Sequence, residues 1–243
     1  TDDALLANRV EHTVKTADGT LWFFTEGGIS CFQDERWIPC PGAGMGVQVS
    51  PSVARAPDGA LWTLTQAGVA RFDGASWVTY DDLPGGSLGK ITVAPDGSVW
   101  VGTYTAPSRG VAQGHGVARF HDGTWNVYTA NDEGEGALAD DFVNDIAPAA
   151  DGMVWVATRS GVSRFDGKTW TTHRISSLVP ADVQPYNEVR RIMATPDGLI
   201  CCEVTGAVSC FDGQDWTAYT AADGLYVAQG VGLNVVLSSA VDQ

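Results

Sequence analysis

Apolar residues in this chain come in short runs that alternate with polar ones. Gly, Asp or Pro closes nearly every run. Segments such as LWTLT, VWVGT and VWVAT follow an Asp-Gly pair, GVARF and GVSRF follow a glycine, and SWVTY, TWNVY, TWTTH and DWTAY follow a further turn. A period of two over about five residues, bounded by turn formers, predicts β-strands joined as hairpins. Upstream of each Asp-Gly lies another extended stretch, with apolar residues eight and five places before the Asp, as in Leu88 and Ile91, Val143 and Ile146, or Val189 and Ile192. Four short strands therefore precede each restart of the pattern.

The pattern restarts five times. Asp-Gly-x-x-Trp occurs at Asp18 to Trp22, Asp58 to Trp62, Asp96 to Trp100 and Asp151 to Trp155, and in altered form at Asp197 to Cys201. A second element places Phe five residues before an aromatic: GISCFQDERW, GVARFDGASW, GVARFHDGTW, GVSRFDGKTW and AVSCFDGQDW. All nine tryptophans (Trp22, Trp37, Trp62, Trp77, Trp100, Trp125, Trp155, Trp170 and Trp216) occupy one of these two repeat positions. A large ring reserved for equivalent slots is expected to pack between neighbouring units, where it buries most apolar area. Units of this size with four strands each predict an all-β fold, a β-propeller of four-stranded antiparallel blades in one domain. The units run approximately over 9–40, 50–80, 88–128, 143–173 and 189–219, and 230–243 reads as an extra first strand. Five blades are expected, with six, the last incomplete, as the alternative.

Trp62 and Arg71, and Trp155 and Arg164, stand nine residues apart across a glycine turn, so cross-strand contact of cation and indole is expected. In the fifth unit both members change, to Cys201 and Cys210, which makes a cross-strand disulfide available there. Cys31 and Cys40 are offset by two residues, which disfavours a bond between them. Five cysteines leave at least one thiol outside any internal pair.

Composition narrows the function. The formal charge is −15, with 29 acidic residues against 14 basic ones, a field that repels phosphate backbones, so nucleic acid is excluded as a partner. No segment approaches the length of apolar helix needed to cross a bilayer, so no membrane-spanning segment is expected. The start at Thr1, without a basic-then-apolar leader, points to a processed secreted form or an excised segment.

The motifs D-G-x-[LV]-W-[VF]-x-T, G-[VI]-[SA]-R-F-D-G and W-x-x-Y resemble the two-component-regulator propeller repeat over nearly the whole chain. That resemblance implies the fold of the extracytoplasmic sensor regions of bacterial hybrid sensor kinases, hence a periplasmic or secreted recognition domain. No kinase, transmembrane or DNA-binding segment accompanies it. The stretch TADGTLWFFTE is also similar to streptogramin lyases, but His12, His115, His121 and His173 do not reproduce that family's catalytic arrangement.

In a four-stranded blade the first-to-second and third-to-fourth turns share one face of the disc. The second-to-third turns and the blade connections share the other. The Asp-Gly turns of the first face are nearly constant in length. By contrast, the interval from a unit's last Trp to the next Asp runs 21, 19, 26 and 27 residues, and the third unit carries a ten-residue insertion starting at Thr105. Variable loops are where a scaffold places recognition. The candidate ligand-binding residues are Tyr104, Arg109, His115, Asp132, Glu133, Tyr186, Asn187, Glu188 and Arg190. Aromatic, amide and charged groups together suit a glycan or other polar small molecule, with a protein partner as the alternative. The acidic run NDEGEGALADD lacks the alternating spacing of a calcium loop and reads as a solvated loop. No cofactor, metal site or catalytic residue is expected, and the leading expectation is a non-catalytic ligand-sensing propeller. A protein interaction scaffold and a lyase or hydrolase are the alternatives.

Overall fold

The computed structural model describes residues 5–25, 27–41, 49–65, 67–83, 87–105, 111–131, 137–179, 188–204, 206–225, 228–230 and 233–235. They form five four-stranded antiparallel sheets, each in simple chain order. The first blade is β1 (Val10–Lys15), β2 (Leu21–Thr25), β3 (Gly28–Gln33) and β4 (Arg36–Ile38). The second is β5 (Val49–Arg55), β6 (Leu61–Thr65), β7 (Gly68–Phe72) and β8 (Trp77–Tyr80). The third is β9 (Ser87–Val93), β10 (Val99–Thr105), β11 (Gln113–His121) and β12 (Thr124–Tyr128). The fourth is β13 (Val143–Pro148), β14 (Val154–Thr158), β15 (Gly161–Phe165) and β16 (Trp170–Arg174). The fifth is β17 (Val189–Ala194), β18 (Ile200–Val204), β19 (Ala207–Phe211) and β20 (Trp216–Tyr219). The first strands β1, β5, β9, β13 and β17 neighbour one another in that order, as the innermost strands of a five-bladed β-propeller. Beyond them, β21 (Ala228–Gly230) and β22 (Leu233–Val235) pair as a two-stranded hairpin. The rest of the expected extra first strand lies outside the described residues.

Asp-Gly chemistry makes the turns. Asp18, Asp58, Asp96 and Asp151 each accept a backbone N–H two residues on, from Thr20, Ala60, Ser98 and Met153, at 2.9–3.1 Å. The following glycines sit at φ of +83° to +89°, a region that a side chain disfavours.

Each of the first four blades then grips the next through its second-strand indole. Trp22 lies 4.8 Å from Phe72 and 6.3 Å from Trp77, Trp100 lies 5.4 Å from Phe165 and 6.1 Å from Trp170, and Trp155 lies 5.6 Å from Phe211 and 6.2 Å from Trp216. Trp62 packs on Phe120 at 5.8 Å and stacks on Tyr80 at 5.3 Å. On the paired strand, Arg71, Arg119 and Arg164 hold their guanidinium carbons 5.4–5.9 Å from the centres of Trp62, Trp100 and Trp155. The expected cation and indole contact thus extends to the third blade, where the insertion hid the spacing.

In the fifth blade Cys201 and Cys210 stand opposite one another and are bonded. Cys31 and Cys40 are bonded as well, with Cα atoms 5.1 Å apart, which corrects the expectation from their offset. The reason is the brevity of β4. Pairing with β3 stops at Ile38, so Cys40 is not held to the strand register and can turn back onto Cys31. Cys202 is the remaining thiol; it is buried, and burial pushes its pKa up to about 12, which keeps it unreactive.

Candidate functional site

Around the axis, the residue six places before the turn Asp is polar in every blade: His12, Ser52, Lys90, Asp145 and Arg191. Four of these five reach the following blade. His12 makes a hydrogen bond with the Val53 backbone. Ser52 Oγ accepts from Ile91 N at 3.1 Å, Lys90 Nζ stands 3.4 Å from Asp145 Oδ1, and Asp145 Oδ2 accepts from Ile192 N at 3.2 Å. Asn144 Nδ2 adds a bond to the Val189 carbonyl at 2.8 Å. Burial lowers the His12 pKa, with help from the nearby Lys90 charge and against the Val53 bond, so its imidazole stays neutral. These side chains stitch the inner strands together. They carried no motif, and only their fixed offset from the turn Asp could have revealed them.

On the variable-loop face, the insertion of the third blade extends β10 and β11 until Tyr104 pairs with Gly114 and Thr105 with Gln113. The His115 ring hydrogen-bonds the Thr105 hydroxyl. Gly114 is required there, since a Cβ would meet the Asp141 carbonyl carbon at 2.2 Å. This contact presses the third blade's hairpin against the loop that opens the fourth. As a result Tyr104 meets Phe142 at 5.9 Å, and Arg159 lays its guanidinium 3.6 Å from the centre of the Phe142 ring. Tyr104, Phe142 and Arg159 are each part-exposed. Two rings and a cation from adjacent blades thus share one spot, and neither Phe142 nor Arg159 stood out in the sequence because their meeting depends on blade packing.

The two described carboxylates of the acidic run are taken up by the loop and the neighbouring β14–β15 turn. Asp140 accepts from Phe142 N at 2.8 Å and from Ser160 Oγ at 2.9 Å, and Asp141 accepts from Ala130 N at 2.6 Å. Glu188 and Arg190, on the fifth blade, pair with each other at 3.0 Å. Arg109, Asp132, Glu133, Tyr186 and Asn187 lie outside the described residues. Of the histidines, His12 is on β1, His115 and His121 are at opposite ends of β11, and His173 on β16 stacks on Trp155 at 5.9 Å. Among the described residues no cluster of His, Cys, Asp and Glu could hold a metal ion, and no helix is long and apolar enough to cross a membrane.

No family model and no curated protein matches the chain. Solved structures do. The extracellular domain of BT3049 from B. thetaiotaomicron, assigned to the hybrid two component systems, superposes with a TM-score of 0.67 at 20% identity. That match covers 91% of this chain and 30% of that one. The corresponding domain of BT4673 gives 0.64 at 15% identity, with 90% and 28% covered. The chain also aligns with virginiamycin B lyase from Staphylococcus aureus, at a TM-score of 0.60 and 16% identity over 86% of this chain and 68% of that one. The chain shares the propeller fold of these proteins. It spans about 30% of the length of the sensor domains, and at such identities the likeness speaks for the fold alone.

Proposed function

We propose that the chain is a non-catalytic recognition propeller that binds a polar small molecule, such as a glycan, on its variable-loop face. The observation that carries this is the Tyr104, Phe142 and Arg159 cluster, where an aromatic platform for the faces of a sugar ring adjoins a guanidinium able to bind oxygen acceptors. His115 stands beside it, and the proposal extends to Glu188 and Arg190 and, from their place in the variable-length segments of the sequence, to Arg109, Asp132, Glu133, Tyr186 and Asn187. The likeness to sensor extracellular domains supports sensing over turnover. The four histidines are spread over three blades, on β1, β11 and β16, which argues against the lyase reading.

Independent chemistry supports an extracytoplasmic location. Two disulfides persist only where the surroundings are oxidising, as in a periplasm or outside the cell. The test is an oligosaccharide screen followed by titration calorimetry. Arg159→Ala and Tyr104→Ala should each weaken the selected ligand about tenfold or more with the melting temperature preserved. A screen without hits, combined with a protein captured through this face, would replace the proposal with a scaffold role.

A further inference from the structure

The seam between the second and third blades is built differently from the other three. At those, the fourth-strand indole of the following blade closes on the second-strand one, with Trp77, Trp170 and Trp216 at 6.1–6.3 Å from Trp22, Trp100 and Trp155. Trp125 instead donates its Nε1 to Asp82 Oδ1 at 3.2 Å and packs on Phe120 at 5.0 Å, without a ring contact to Trp62. At this seam a cavity of about 370 Å³ opens on the Asp-Gly face, walled by Pro57, Trp62, Pro95 and Phe120.

A second observation concerns the indole donor. Trp22 Nε1 donates to Thr16 Oγ1 at 3.2 Å, and Trp100 Nε1 donates to Ser98 Oγ at 2.9 Å. The equivalent places beside Trp62 are Ala56 and Ala60, so its N–H has no acceptor among the described residues. Two of the three carboxylates at the cavity are held by guanidinium groups, and the third is open to solvent. Asp58 pairs with Arg71 at 2.8 Å, Asp96 pairs with Arg119 at 3.0 Å, and the exposed Asp122 stands 3.5 Å from His121 Nε2. Paired charges give a full-charge ligand little net attraction, whereas their outer lone pairs and N–H groups remain useful to a neutral one.

We propose that this cavity binds a neutral polyol of monosaccharide size. Its C–H faces lie against the Phe120 and proline walls, one oxygen accepts the Trp62 N–H, and its hydroxyls donate to the paired carboxylates. The volume falls within the range of small-molecule sites. The site lies on the face opposite the variable loops, so it stands or falls independently of the function proposed above.

The experiment is a titration of the intact chain with D-glucose, read from the indole N–H signals of ¹⁵N-labelled protein, with Trp62→Phe assigning the relevant peak. The Trp62 signal should move saturably while those of Trp22 and Trp100 stay fixed. Ala60→Ser supplies the acceptor that Ser98 gives Trp100, and it should weaken binding about fivefold without lowering the melting temperature. Because this variant only adds a hydroxyl, it keeps the test open even if Trp62→Phe fails to fold. Absence of a saturable shift overturns the proposal, as does affinity that Ala60→Ser leaves unchanged. Tighter binding of the cation tyramine to the same peak overturns the neutral class.

Discussion

Trp100 and Trp37 hold repeat positions of the same kind of blade yet differ in what they bury. Trp100 is 1% exposed, held between Phe165, Trp170 and Tyr128, whereas Trp37 is 36% exposed and its ring contacts among the described residues are to its own blade, Phe23 and Phe32. Trp100→Ala should cost about 3–5 kcal/mol, for lost transfer energy and the cavity left behind, and Trp37→Ala about 1 kcal/mol. Urea unfolding of the two variants checks this, and equal losses would deny that the indoles act as seams between blades. The turn carboxylates give a second prediction. Asp166 accepts the backbone N–H of Thr169 and of Lys168, and then the Thr169 hydroxyl, which pull its pKa from 3.8 to about 2. Asp73 is lowered by the backbone N–H groups of Ser76 and Ala75, and Asp212 by those of Asp215 and Gln214. A carboxyl held low in the folded state favours folding above its unfolded pKa and loses that contribution as pH falls through the folded one. The melting temperature should therefore drop as pH goes from about 4 to about 2. Replacing all three aspartates by Asn should flatten that part of the profile.

At the scale of the element, three of the five third strands, β7, β11 and β15, carry a glycine where the fourth strand returns closely. A Cβ on Gly68, Gly116 or Gly161 would sit 2.1, 2.0 or 2.2 Å from the carbonyl oxygen of Tyr80, Tyr128 or His173, and all three glycines have φ above +80°. Gly161→Ala should lower stability by about 1–3 kcal/mol in chemical denaturation, while the same change at Gly167, where nothing lies within 4 Å, should cost less. This local chemistry is why strands and Asp-Gly turns were legible in the sequence: both are decided within a hairpin. Features decided between hairpins were not legible. The Cys31–Cys40 bond depends on where β4 stops, the inner ring of His12, Ser52, Lys90 and Asp145 depends on the next blade's backbone, and the Tyr104, Phe142 and Arg159 cluster depends on Gly114 letting two blades touch. Even the third-to-fourth turns diverge. Asp34, Glu35 and Asp122 take positive φ in tight two-residue loops, where the other blades use a Phe-Asp-Gly turn.

Across the molecule, the indole seams run from blade one to blade five in one direction, each second-strand Trp seated on the blade that follows. The repeat leaves the two ends unlike. The fifth blade presents Cys201 in place of the indole, and the first blade's receiving pair, Phe32 and Trp37, has no second-strand Trp from another blade upon it. Both disulfides fall in these two blades, each closing a separation of nine residues. In a stack of repeats, stability is the sum of each unit and its interfaces, so units with fewer interfaces open first unless something internal restrains them. A short disulfide loop removes freedom from the opened state and restrains its own blade by about 2–3 kcal/mol. Native-state hydrogen exchange before and after reduction separates these contributions. The oxidised protein should protect β6, β10 and β14 most strongly, and reduction should lower the opening free energy of the first and fifth blades by the amount above while blades two to four keep theirs. Equal losses in all five blades would mean that the blades open as one cooperative unit.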